Sequence, residues 1–190
     1  MQNRKPMMLV FAGPNGSGKS TITPYFGTVG EYTNADDIVA ATGASNKEAT
    51  ISADERRKEA IKEQRDLTFE TVLSSEYKME IIRLAKKNDY FIKCVFVLTA
   101  NPELNVLRVR SRVETGGHDV PKEKIFRRYK KSLKNIPELI EICDILHVYD
   151  NTGGNPIRIF RKHKDEPYKI YPNEYWSEEQ IRKMIFVGEH

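Results

Sequence analysis

Gly13, Pro14, Asn15, Gly16, Ser17, Gly18, Lys19 and Ser20, followed by Thr21, have the spacing G-x-x-x-x-G-K-[ST] of a loop that cradles phosphate. The chemistry asks for these residue types. Glycines let backbone N–H groups turn toward phosphate oxygens, Lys19 reaches the β- and γ-phosphates, and the Ser20 hydroxyl is placed to ligate magnesium. Thr21 continues the helix whose positive end faces the anion. The alternative is a glycine-rich turn with an incidental lysine, and a preceding apolar run with a following helix argues against it. GTPases, transport ATPases, helicases and kinases share such a loop, so other residues must decide the class. There is no second copy of the loop and no aspartate closing the apolar run "VFVLTA", where many motor ATPases carry a magnesium carboxylate. The pattern favours a small phosphotransferase.

An accepting hydroxyl needs a carboxylate to orient it and take its proton, because phosphoryl transfer is otherwise a matter of positioning and charge. In "NADDI", Asp36 and Asp37 follow a short strand-like run. Adjacent carboxylates project in different directions, so only one is expected to face a site beside the loop. Both could instead cap the following "DIVAAT" helix. Glu70 follows apolar Phe69 at another strand end, where a charge is unusual unless paired or functional. Arg108, Arg110 and Arg112, then "GGHDVP", then Arg127 and Arg128 read as a basic helical hairpin over 108–130. Arginines on a mobile lid can close over a γ-phosphate and exclude water, although a solvated helix face is the commoner fate of such spacing. Arg108 and Arg112 share a face that Arg110 does not, and Arg127 and Arg128 are not expected to face the site together. His118 is a candidate hinge or substrate contact, or plain turn surface.

These side chains need a scaffold that brings them together. Residues 8–12 form a continuous apolar run before the glycine loop, which predicts a buried strand, then a helix up to Pro24. Strand-like runs recur at "YTN", "LTFET", "YFIKCVFVLTA" and "DILHVYDN", with helical patterns over 46–65 and 76–88 and after Pro102 and Pro121. Alternation of this kind predicts an α/β fold with a mainly parallel sheet covered by helices on both faces. Ligands then gather at the carboxyl ends of the strands, where Gly13, Asp36, Glu70 and Asp150 all fall. Asp150 and Asn151 are candidates to lie near a nucleotide base, or equally to shape a strand-end turn. A hairpin turning near Asp165 and Glu166 and a final helix complete a C-terminal extension over 156–190.

With 190 residues, 39% of them hydrophobic and 31% charged, the chain suits one domain over 1–190 with a well-charged surface. Nothing reads as a leader or a membrane span, so a soluble cytoplasmic protein is expected. Cys94 and Cys143, distant in sequence and each in an apolar run, are expected as buried reduced thiols. A net charge of +4 suits a binder of phosphorylated ligands and is too small and dispersed to require nucleic acid.

"GPNGSGKST", "NADDIVA", "FETVLSS", "RVRSRVETGGHDVP" with "RRYKKSL", and "YDN", in that order, resemble the zeta-toxin family of P-loop kinases over about residues 8–151, especially its short single-domain members. The resemblance implies a P-loop NTPase fold with a five-stranded sheet in the order 2-3-1-4-5, and a kinase using ATP or GTP with magnesium. It implies a nucleotide-sugar acceptor such as UDP-N-acetylglucosamine and a small antitoxin protein as partner. By matching motifs, Asp36 takes the place of the catalytic base, Glu70 and Thr71 the acceptor-binding strand end, and Arg112 and Arg128 the arginines on the transferring phosphate. The chain lacks the extended acceptor-binding region of the longer toxins. Two further readings are a polynucleotide or nucleoside kinase, and a nucleotide-binding interaction module without turnover. In the last, Tyr171, Tyr175 and Trp176 would meet a partner, although packing of this tail on the core is the expectation from aromatic burial.

Overall fold

In the computed structural model, residues 4–117 and 119–188 are described. A seven-stranded sheet in the order β2-β3-β1-β4-β5-β6-β7 runs through the molecule. Its parallel part consists of β1 (Met7–Ala12), β2 (Glu31–Thr33), β3 (Leu67–Thr71), β4 (Phe91–Leu98) and β5 (Ile145–Asp150), in the expected 2-3-1-4-5 order. The C-terminal hairpin, β6 (Ile157–His163) and β7 (Lys169–Ile170), joins the same sheet by antiparallel pairing to β5.

Between the strands lie α1 (Lys19–Phe26), α2 (Ala35–Thr42), α3 (Asn46–Lys62), α4 (Glu76–Lys87), α5 (Pro102–Glu114), α6 (Lys122–Lys134) and α7 (Ile136–Ile142), and α8 (Glu178–Val187) follows β7. The helix expected after Pro121 is α6, and a second short helix, α7, follows it. The break falls at Asn135, which caps α6, with Pro137 inside the first turn of α7, where its missing N–H costs nothing.

Strand alternation divides the core. Val10, Phe69, Phe96 and Val148 face the larger cluster, which also receives Trp176 and residues of α4, α6, α7 and α8. Leu9, Phe11, Val95 and Val97 face a smaller cluster under Ile22 of α1. A third cluster of Val106, Val109 and Ile125 clamps α5 to α6. Trp176 is fully buried, as expected of a tail packed on the core. Cys94 and Cys143 are both free and buried, yet they are neighbours: burial, then the adjacent Cys143 thiol, pushes the Cys94 thiol well above its ordinary value. No helix among the described residues is long and apolar enough to cross a membrane.

Candidate active site

The register of the parallel strands brings the ends of β1 and β3 level, with Ala12 opposite Thr71, while β4 runs two residues past its Ala12 partner, Phe96, to Leu98. The chain leaving β1 must therefore turn sharply. Gly13 has φ 142°, and a Cβ there would lie 2.0 Å from the Val97 carbonyl oxygen. Gly18 has φ 92° and caps α1, and a Cβ there would lie 2.0 Å from Asn151 Nδ2. Both positions admit only glycine without displacement. The loop is fastened from outside. Asn151 Nδ2 donates to the Ser17 carbonyl at 2.9 Å, Asn105 Nδ2 donates to the Asn15 carbonyl at 2.7 Å, and Arg128 donates to Asn15 Oδ1 at 3.1 Å. Inside it, Lys19 Nζ donates to the Gly13 and Pro14 carbonyls at 2.9 and 3.2 Å. Burial lowers the Lys19 ammonium, while the charges of Glu70 and Asp36 act to raise it.

Gly16, Gly18, Lys19, Ser20, Thr21 and Asn15 line a cleft of about 920 Å³, whereas Gly13, Pro14 and Ser17 sit behind its wall. The free N-terminus of α1 and the small-residue cradle fit a polyphosphate. The Ser20 hydroxyl at the helix start is exposed to the cleft and fits one position of a magnesium ion otherwise held by phosphate oxygens and water.

Opposite the loop, α2 begins at Ala35. Its cap is Asn34, whose side chain accepts from the Asp36 N–H at 3.1 Å, so the aspartates are not the cap. Both Asp36 and Asp37 occupy the first helical turn, and both line the cleft. Of the two, it is the charge of Asp36 that acts on Lys19 and Arg128. Partial burial and then the charge of Asp36 raise the Asp37 carboxyl. Glu70 also lines the cleft, from β3, and accepts from Thr23 Oγ1 at 3.0 Å. Thr71 lines it too, but its hydroxyl accepts from the Leu73 N–H at 3.0 Å.

From the other side come Arg108 and Arg112 of α5 and Arg127 and Arg128 of α6. The first two share a face as expected. Arg127 borders the cleft beside Arg128, but of the two it is Arg128 that reaches the phosphate loop, at Asn15. Arg108 donates to the Asn151 and Thr152 carbonyls at 2.8 and 3.1 Å, tying α5 to the strand-end turn. Burial lowers the Arg128 guanidinium, opposed by the charge of Asp36 across the cleft. Asp150 faces away: it accepts from Thr152 N–H at 3.1 Å and Asn173 Nδ2 at 2.9 Å, so it belongs to the turn. His118 lies outside the described residues.

Sequence reasoning missed a buried ionic group on the side of the cleft that carries Asp36 and Glu70. Arg57, 1% exposed, donates to Asp54 at 2.7 Å and to the Thr33 hydroxyl and carbonyl at 2.8 and 3.0 Å, with its guanidinium 4.4 Å from the Phe69 ring centre. Lys78 reaches Asp54 at 2.6 Å, and both cations line the cleft. The available signal was an opposite-charge pair three apart on the helix stripe carrying Ala53, Ala60 and Ile61. Asn105 was missed as well. It is fully buried, receives the Thr99 hydroxyl and supports the phosphate loop, and its signal was a polar residue on the apolar face beside Val106 and Val109.

A glycine loop after the central strand of a parallel 2-3-1-4-5 sheet, facing carboxylates and arginines across one cleft, defines an α/β protein of the P-loop kinase-like class. The Zeta toxin family model matches residues 34–165, more than half of the chain, and the chain belongs to that family. The match begins after the glycine loop, which is thus independent support. An uncharacterised protein of Haemophilus influenzae is 26% identical over 135 residues, covering 68% of this chain and 94% of its own. A chain of the AvrRxo1-ORF1:-ORF2 complex solved with ATP matches with a TM-score of 0.73 and 17% identity over 96% of this chain, which spans 64% of that chain's length. A chain of the PezAT chromosomal toxin–antitoxin system of Streptococcus pneumoniae matches with a TM-score of 0.65 and 14% identity, covering 99% of this chain and 86% of that one. These two likenesses are likenesses of fold.

Proposed function

We propose that this protein is a magnesium-dependent phosphotransferase that moves the γ-phosphate of ATP, or of GTP, to a hydroxyl of a small acceptor, with UDP-N-acetylglucosamine as the leading candidate. The observation that carries the reading is the convergence of Lys19, Asp36, Glu70 and Arg128 on one cleft from separate segments, close enough that the carboxylate charges act on Lys19 and Asp36 acts on Arg128. In this reading the backbone N–H groups of residues 15–21 and Lys19 hold the β- and γ-phosphates. The Ser20 hydroxyl would hold a magnesium ion together with the phosphate oxygens, and that ion would supply neutralisation of the triphosphate charge. Asp36 orients the acceptor hydroxyl and takes its proton. Glu70 holds the acceptor beside Asp36, and Thr71 contributes by shaping the loop behind it. Arg112 and Arg128 bear on the charge of the transferring group, and Asn151 holds the loop under the nucleotide. The about 920 Å³ cleft has room for a triphosphate and an acceptor together.

Family membership supports the sugar-nucleotide acceptor, and the PezAT likeness supports a small antitoxin partner in a cytoplasmic toxin–antitoxin pair. The experiment is transfer from γ-labelled ATP and magnesium to a panel of nucleotide sugars, nucleosides and oligonucleotides, with Asp36→Ala beside the wild type. Label on UDP-N-acetylglucosamine should fall about 10²- to 10⁴-fold in the variant, with ATP affinity within about twofold. Label confined to oligonucleotide ends would make it a polynucleotide kinase, and ATP binding with no labelled acceptor would favour the interaction module.

A further inference from the structure

The loop after β3 makes a turn that no signal in its sequence forecasts. Leu73 has φ 52°, a left-handed conformation that leucine rarely adopts, and its side chain is fully buried in the larger core. Such a backbone persists only where its surroundings over-determine it. Three hydrogen bonds do so. The Leu73 N–H donates to Thr71 Oγ1 at 3.0 Å, Ser132 Oγ donates to the Val72 carbonyl at 2.7 Å, and Asn135 Nδ2 donates to the Leu73 carbonyl at 2.9 Å. The last two donors come from α6 and its cap, 60 and 62 residues away in sequence.

Val72, Leu73, Ser74 and Ser75 line the acceptor side of the cleft, and Ser132 and Asn135 do not. These two side chains therefore act from behind the cleft wall: they hold the buried Leu73 turn, and with it the half-buried Val72 and Ser74 and the exposed Ser75 that border the cleft. One turn before Ser132 on the same helix, Arg128 donates to Asn15 of the phosphate loop at 3.1 Å, and Tyr129 OH donates to the Thr99 carbonyl at the end of β4 at 2.6 Å. At about 1.5 Å of rise per residue, a rigid span of about 6 Å along α6 separates the residue that touches the phosphate loop from the one that touches the acceptor loop.

We propose that Ser132 and Asn135 are positioning residues for the phosphoryl acceptor: through the Val72 and Leu73 carbonyls they fix the left-handed turn of the acceptor loop, and by sharing α6 with Arg128 they fix its distance from the phosphate loop. The proposal rests on the kinase reading above, and its first test does not require the acceptor to be known. Backbone amide hydrogen exchange is measured on the full chain as wild type, Ser132→Ala, Asn135→Ala and Ser132→Thr. Removing either donor should speed exchange across residues 72–75 by about tenfold, the size of one lost buried hydrogen bond, and leave residues 13–21 unchanged. Ser132→Thr, which keeps the hydroxyl, should restore protection. With UDP-N-acetylglucosamine as the probe acceptor, Ser132→Ala should raise the acceptor KM about tenfold and change the ATP KM less than twofold. Unaltered exchange at 72–75, a loss spread equally over 13–21, or acceptor and ATP KM rising together would overturn the proposal. If the wild type does not phosphorylate this probe, the sugar-nucleotide reading fails by itself, and the exchange pattern still decides the role of Ser132 and Asn135.

Discussion

Lys19 and Arg57 both line the same cleft, and they are held in opposite ways. Lys19 is retained by carbonyls of its own loop, those of Gly13 and Pro14, six and five residues away. Arg57 is held by Asp54, by Thr33 on a different strand and by the Phe69 ring on a third element, and Asp54 also holds Lys78 from α4. The contrast extends to the two ends of the cleft. The end at the glycine loop is mostly one short stretch of backbone whose bends need its glycines, whereas the end around Asp36 and Glu70, where the proposed reaction would place the acceptor, is an assembly of α2, α3, β3 and α4. Any phosphate presents the same oxygens, so a local solution suffices. An acceptor must be distinguished from many others, and that takes groups set at fixed distances by the whole fold.

Substitutions can break or sharpen this contrast. The largest effect is expected from Asp54→Ala, which strands Arg57 and Lys78 without their shared counter-charge. Loss of about 3–5 kcal/mol of unfolding free energy is expected by denaturant titration, because a buried charge is left unpaired. ATP affinity of the folded fraction should stay within about threefold of wild type, and a parallel loss of affinity would mean that the two ends are not separately built. Gly13→Ala comes next. Its Cβ would press on a sheet carbonyl that cannot retreat, and backbone strain of about 1–3 kcal/mol should appear as an about 10- to 100-fold loss of ATP affinity by calorimetry. Asn34→Ala is the smallest. Loss of the α2 cap should cost about 0.5–2 kcal/mol of stability and slow transfer, since the cap sets the first turn that carries Asp36. Unchanged transfer in that variant would detach the helix start from the chemistry.

Much of this was legible in the chain. The glycine loop, the alternating strands and helices, the order of the parallel strands through the family resemblance, and the candidacy of Asp36, Glu70 and the lid arginines all come from residues close together or from motifs in series. What stayed illegible lies between distant segments. Asp150 follows the strand-end-turn alternative because Asn173, from the tail, donates to it. Cys94 and Cys143 are the buried free thiols expected, but their adjacency in the core joins residues far apart in sequence.

The sequence by itself determined what local chemistry can determine. A backbone that must bend at Gly13 and Gly18 and a lysine one step beyond the second bend mark a phosphate loop, because the glycines and the Lys19 contacts to the Gly13 and Pro14 carbonyls lie within a few residues of each other. Tertiary structure alone decided the rest: the burial of Arg57, the support of Asn15 by Asn105 and Arg128, and the left-handed turn at Leu73. Each depends on partners distant in sequence, whose hydrogen bonds and charges are paired only once the sheet has brought the strand ends together and α6 has packed beside them.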